Sequence, residues 1–373
     1  MKTLDATLLN SLVSQDPSPS LSIYLPVHKN LSESPLDILS LKNLIKDIRT
    51  QVDPSEIPAV ETLLEPVERL LNDKNFARGK AGTLAIFSSP GLFETVLLPD
   101  QYPAAFYLDD CFYIVPLLAF AGSNTDFHVL ALGKNRVRLF EGNLCHFEEI
   151  PLEDRIPTTM EQALGSHLTE NHIHGATGGA TAIHGYMEIT DEKETDNTRF
   201  FRIIDREIDS QFSRGRKIPL ILAALPENIS LFHSLSKNEC LVREGIALNA
   251  DGIDTTELHQ RALDIMENMR QVVIERHLNR YNIGKSEQLA SDVLADIAVH
   301  AMDGRIERLF VAKGKRLPGT VSIEDRTLTP DPNGHGDIIN KIAWLTYKNG
   351  GTIHALDNAE GAFPEGIGAL NRF

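Results

Sequence analysis

Four of the thirteen histidines, His167, His172, His174 and His184, fall within 18 residues of one another, with Glu170 among them. Neutral imidazole is a ligand for zinc, copper or iron, and two histidines one residue apart on an extended strand turn both rings to one face. The spacing matches no metal-centre signature, so solvated loop histidines are expected, with no metal and no other cofactor. The same stretch, HGATGGATAIHGY, holds Gly175, Gly178, Gly179 and Gly185. Glycine permits positive φ and a close approach of backbone amides to a ligand or an RNA, and successive amides form anion-binding nests. A plain loop tip has the same composition. Downstream, Arg199, Arg202 and Arg206 are spaced three and four apart, one helical face, while Phe201, Ile204, Ile208 and Phe212 take the other. Such a cationic stripe suits phosphate; its alternative is a set of exposed ion pairs with Asp205, Glu207 and Asp209, which are worth little. Asp109-Asp110 and Asp191-Glu192 are adjacent carboxylates. Neighbours on a strand point to opposite faces, so these read as solvated turns rather than acid/base dyads.

Charge decides where a polyanion can touch. The 373 residues carry 36 Lys+Arg against 52 Asp+Glu, a formal net charge of -16. That excess opposes nonspecific duplex binding, which depends on Lys and Arg displacing counterions; DNA is not an expected partner. Locally the balance reverses. Residues 141–197 hold twelve acids against Arg155 and Lys193, a net of -10, whereas residues 198–217 hold six basic residues against three acids, a net of +3. Cys111, Cys145 and Cys240 are too few and too scattered for a disulfide framework, which fits a reducing compartment. The N-terminus has an acid at Asp5 and no uninterrupted apolar stretch, and the longest apolar run, FYIVPLLAFAG, falls short of the roughly 20 residues that cross a bilayer. A cytoplasmic protein without a membrane partner is expected. GxxxxGK[ST], strand-linked GxGxxG, HExxH, GxSxG and CxxC are all missing, which removes the easily recognised enzyme classes.

The elements that must position these residues alternate between helix and strand. Residues 1–124 read as one α/β domain, with GTLAIFSS, ETVLLP and CFYIVPLL as strands. Residues 125–252 form a second, opening with the hairpin DFHVLALGKNRVRLFEGN. A stretch without convincing period follows, from about 153 to 197, then the helix TRFFRIIDREIDSQF and the buried strand PLILAALPE. Residues 253–373 form a third: a long helix opened by Asp254 and Glu257, a helix closed by Gly304, the strand IERLFVAKG, a helix over GHGDIINKIAWLTYKNGG and the strand TIHALDN, as in an α/β/α sandwich.

A Gly-Gly loop followed by an Arg-bearing helix and a PLILAAL strand resembles the middle domain of archaeal and eukaryotic class I release factors and of Pelota. The third domain resembles their C-terminal domain, down to the closing EGIGALNRF. The layout is similar to the bacterial archaeo-eukaryotic release factor families, family 3 or a close sibling. The resemblance implies an RNase H-like middle domain, a C-terminal domain like kink-turn-binding ribosomal proteins, ribosome or transfer RNA as partner and a translational GTPase as a further one. Gly178 and Gly179 would take the places of the family's two glycines, but Ala180 stands at its glutamine, so ester hydrolysis is not implied. Residues 1–124 lack the stop-codon-reading motifs. The expectation is a ribosome-associated factor for rescue, hibernation or quality control that contacts RNA through the loop and Arg199, Arg202 and Arg206. Two other readings stay open. One is a hydrolase of peptidyl-tRNA or another ester, with the Gly178 and Gly179 amides at the oxyanion and a loop histidine as base. The other is a metal- or small-ligand-binding stress protein built on His167, His172, His174 and His184.

Overall fold

The computed structural model describes the chain apart from residues 1–3, 5, 15–17, 31, 74–75, 77–78, 134–135, 153–154, 166–181, 253 and 358–361, and at Ala6, Ser34 and 182–194 it describes the backbone only. It is mixed α/β and divides into two compact units, one formed by residues 1–123 with 271–373 and the other by residues 124–270.

The first unit opens with helix α1 (Ala6–Val13), strand β1 (Ser20–Val27), helices α2 (Ser34–Gln51) and α3 (Ile57–Asn72), strands β2 (Gly82–Ser89), β3 (Leu92–Leu98) and β4 (Ala105–Asp109), and helix α4 (Val115–Ser123). The four strands make an antiparallel sheet in the order β3-β2-β1-β4, with Ile23 opposite both Ile86 and Phe106. Alternation along β1 sends Leu21, Ile23, Leu25 and Val27 to one face, where Leu41, Ile45 and Ile48 of α2 and Leu63, Leu64 and Val67 of α3 cover them. CFYIVPLL is not a strand. Its second half is α4, because Pro116 near the helix start lacks only an N–H that has no intrahelical acceptor there and has its φ already set.

The second unit contains strands β5 (Phe127–Leu132), β6 (Val137–Gly142) and β7 (Phe147–Ile150), helices α5 (Met160–Leu164) and α6 (Ala182–Ile208), a π-helical turn (Asp209–Ser213), strand β8 (Leu220–Ala224), helix α7 (Pro226–Leu235), strand β9 (Ile246–Ala247) and the first half of helix α8 (Thr255–Ser286). The sheet order is β7-β6-β5-β8-β9, with three antiparallel strands followed by two parallel ones, as an RNase H-like sheet requires. β5 is buried on both faces. Phe127, Val129 and Ala131 meet Leu258, Ala262 and Ile265 of α8, while Leu130 and Leu132 meet Phe201, Ile204 and Ile208 of α6. Helix α8 starts where Asp254 Oδ1 accepts from the Thr256 N–H at 3.0 Å.

The chain then re-enters the first unit with strand β10 (Ala290–Ser291), helix α9 (Leu294–Met302), strands β11 (Ile306–Ala312), β12 (Gly319–Ser322) and β13 (Thr327–Pro330), helix α10 (Ile338–Lys348), and strands β14 (Thr352–Leu356) and β15 (Ile367–Asn371). β15 is buried throughout and lies between β10 and β11 in the order β10-β15-β11-β14. Gly366, which leads into it, has φ 75, and a Cβ on Gly368 within it would stand 2.2 Å from the ring of Phe363. Ile274 and Tyr281 of α8 pack with Phe310, and alternation turns Leu309 and Val311 toward the opposite face, where α10 meets β11; this completes the α/β/α sandwich.

Two stretches of the first unit, far apart in sequence, are joined by polar groups. Asn340 of α10, 2% exposed, accepts the N–H groups of Ile114 at 2.7 Å and Val115 at 3.3 Å and donates to the Phe112 carbonyl at 3.0 Å. Lys341, also 2% exposed, places its ammonium 2.5 Å from Asp110 Oδ1. Asp110 is exposed in the bend after β4, as a solvated turn would be, whereas Asp109 is half-buried at the strand's end. One carboxylate answers a buried lysine, and burial pushes the other up to about 6.

Candidate functional site

The surface suited to anions lies in the second unit, on α6. Its apolar residues fix its orientation: Phe200, Phe201, Ile204 and Ile208 are each 5% exposed or less and pack on Leu130, Leu139, Leu222 and Phe232. The opposite face must then look outward, and Arg199, Arg202 and Arg206 are exposed on it. A second contact pins the helix. Asp205 accepts from the Ser236 hydroxyl and, at 2.9 Å, from the Lys237 N–H, just after α7. Beyond it, Asn238 Nδ2 donates to Ser213 Oγ at 2.8 Å, so the π-helical turn is tied to the same loop. Replacing Asp205 by Ala leaves a half-buried N–H without its acceptor. We expect a loss of about 2 kcal/mol in urea unfolding of this unit; a change under about 0.5 kcal/mol would show that the clamp is dispensable.

Helix α6 begins earlier than its apolar pattern indicates. EITDEKETDNT lacks apolar residues at helical spacing, yet its backbone is helical, and Glu and Lys favour helix without an apolar face. Residues 160–164 are helical as well. Gln162 N–H donates to Thr159 Oγ1 at 3.2 Å while Gln162 Oε1 accepts the Thr159 N–H at 3.3 Å, a capping box that starts α5, and Gly165 ends it at φ 51. Of the presumed loop, 166–181 lies outside the described residues. That segment holds His167, His172, His174, Gly178, Gly179 and Ala180, and the side chains of His184, Asp191 and Glu192 lie outside them too.

The basic residues of 198–217 differ in their commitments. Arg214 pairs with Asp209 at 2.6 Å and Arg216 with Glu141 at 3.0 Å. Arg206 touches its neighbour Glu207 at 2.9 Å with its own side chain 74% exposed, a contact weak enough for phosphate to replace. Arg199 lies 3.6 Å from Asp196, and no described acid is bridged to Arg202. Asp205 and Asp209 thus answer the clamp and Arg214, not the stripe; of the three acids named in the ion-pair alternative, Glu207 pairs with the stripe, and Asp196 adds a second pair, with Arg199. Sequence reasoning did not find the ground beside the stripe. Arg199 and Arg202 line an open pocket of about 420 Å³ with Ala163 and Leu164 of α5 and Ile203 of α6. The only available signal was the i, i+3, i+4 spacing of Arg199, Arg202 and Ile203, since the partner helix is more than thirty residues away in sequence.

Also unforeseen was His128 on β5. It is fully buried, its imidazole is held below the usual range by burial, and Glu141 lies 4.0 Å away. In the first unit, ligand atoms of Asp109, Asp110 and Cys111 lie within 4.8 Å of one another, but the Lys341 ammonium already supplies the cation there.

No curated protein matches the chain. Among solved structures, Archaeoglobus fulgidus Pelota is 12% identical, covers 96% of each chain and has a TM-score of 0.34. S. cerevisiae Dom34, described as a translation termination-like factor involved in RNA quality control pathways and interacting with Hbs1, is 8% identical over 98% of this chain and 92% of its own, with a TM-score of 0.37. A ribosome-bound archaeal Pelota is 10% identical over 100% and 95%, with a TM-score of 0.40. The stretch that includes the β5–β6 hairpin, the Arg-bearing helix and the long α8 is recognised in sequence: residues 126–305 match bacterial archaeo-eukaryotic release factor family 3, the family that the overall layout resembles.

Proposed function

We propose that the protein is a ribosome-associated translation factor whose Arg199, Arg202 and Arg206 contact ribosomal or transfer RNA. The observation that carries this is the outward row of guanidinium groups on α6 within the family match. Phosphate accepts bidentate guanidinium hydrogen bonds, and the acidity of the rest of the chain confines binding to this row instead of spreading it over the surface. The role is rescue, hibernation or quality control rather than decoding, since residues 1–124 carry no stop-codon-reading motif, and Ala180 brings no side-chain group to an ester. A translational GTPase is the further partner this reading includes.

Replacing Arg199, Arg202 and Arg206 together by Glu should weaken co-sedimentation with ribosomes at least about tenfold, and the wild-type affinity should fall with salt with a log–log slope of roughly -2 for three contacts. All three side chains are exposed, and the unfolding midpoint of the variant is measured alongside, because Arg199→Glu also sets a carboxylate beside Asp196. Equal sedimentation of wild type and variant would refute the assignment.

A further inference from the structure

The row of charge explains attraction to a phosphate chain but leaves the pocket beside it without a purpose. We propose that the pocket between α5 and α6 receives one unstacked nucleobase of a single-stranded RNA segment, with the flanking phosphates on Arg199 and Arg202; this rests on the RNA-contact reading above.

The lining divides by chemistry. Ala163, Leu164 and Ile203 offer an aliphatic surface, while Arg199 and Arg202 stand on the adjoining turn of α6. An aliphatic wall gains nothing from phosphate, and a guanidinium gains little from an alkyl chain, so the occupant carries both an apolar face and an anion. A volume of about 420 Å³ lies near the lower end of the range for small-ligand sites, roughly 300–1,000 Å³. That is room for a single nucleotide and not for a stacked run. The anion is part of a chain: Arg206 continues the row to about 10 Å along the helix axis, a reach that a lone carboxylate or a single phosphorylated side chain does not use. A guanidinium plane also stacks on a base while its N–H groups hold phosphate, which lysine cannot do. Single-stranded RNA is recognised by this division of labour, bases splayed into pockets and backbone on cations.

The pocket can be filled without touching charge. Ala163 lies on α5 and is partly buried, and Ala163→Phe places a ring where the base would go. The full-length protein is titrated with two fluorescently labelled hexamers, oligouridylate and the same ribose-phosphate chain without bases. Wild type should bind the base-bearing oligomer about tenfold more tightly than the abasic one. Ala163→Phe should lower oligouridylate binding to the abasic level and leave abasic binding unchanged, which also shows that the variant is folded. Arg199→Gln with Arg202→Gln should weaken both oligomers. If wild type binds the two equally and the arginine variant loses both, the base pocket is wrong and the RNA contact stands. If wild type binds neither, or the arginine variant binds as wild type does, the pocket falls together with the reading beneath it.

Discussion

Replacing Asn340 by Ala should destabilise the first unit by about 3–5 kcal/mol, the largest single-residue effect we expect. The N–H groups of Ile114 and Val115 lie at the start of α4, where a helix has donors but no intrahelical acceptors, and the Asn340 side chain supplies the acceptor. Its amide also satisfies the Phe112 carbonyl at 3.0 Å. Truncation strands three backbone groups in a place where Ile114 is fully buried and Phe112 is 1% exposed. Each orphaned buried group costs about 1–3 kcal/mol. Trp344, the sole tryptophan, is 2% exposed on the same helix and reports the transition by fluorescence. Because Asn340 joins two stretches more than 220 residues apart in sequence, the urea midpoint should drop while residues from both stretches still lose structure in one transition. A loss below about 1 kcal/mol would mean that water reaches these groups.

This junction also shows where sequence reading stops. Some elements were legible: the run at 220–224 as a short unbroken apolar segment bounded by prolines, and the helix around Ile338–Lys348 and the outward Arg199, Arg202, Arg206 face as residues recurring at helical spacing. Asn340 and Lys341 look like solvated interruptions of that same helix, since nothing beside them in the chain announces the N–H donors, the carbonyl and the acid at 110–115. The strand reading of CFYIVPLL fails for a related reason. A short apolar run does not distinguish a buried strand from a buried helix, and Pro116 decides only once its position at a helix start is known. The hairpin of β12 and β13, GTVS and TLTP, is too short and too exposed to leave a period. The pocket on α6 is a property of two helices together. Its charged half was visible as a spacing, while its aliphatic half depends on α5, which five residues and a capping box define.

Asp337→Asn should stabilise the protein by about 2–3 kcal/mol at pH 7 and leave it nearly unchanged at pH 4. Asp337 is the N-cap of α10, and its Oδ1 accepts the Asn340 N–H at 3.1 Å. Its Oδ2 is buried without a hydrogen bond, and the nearest guanidinium atom, Arg316 Nε, is 3.9 Å away, so the charge is poorly repaid. Burial pushes this carboxyl up to about 6, against the N–H groups of Asn340, Leu317 and Ile339 and the Arg316 guanidinium, which pull it down. The sign follows from the protons. With the folded value above the unfolded value of about 3.9, the native state binds more protons between pH 4 and 6, so this group's contribution is complete below that window and is lost as pH rises through it. Asparagine reproduces the neutral acid: its oxygen still caps the helix and it brings no charge into the interior. Asp109, also raised to about 6 chiefly by burial, should give a second increment of the same sign on replacement by Asn. Other carboxylates in ion pairs, such as Asp303 with Arg326, tilt the absolute curve the opposite way as pH falls. The decisive quantity is therefore the difference between variant and wild type, followed by urea unfolding from pH 4 to 7. A difference that stays flat across the window, or a variant less stable at pH 7, would show that the Asp337 charge is solvated after all.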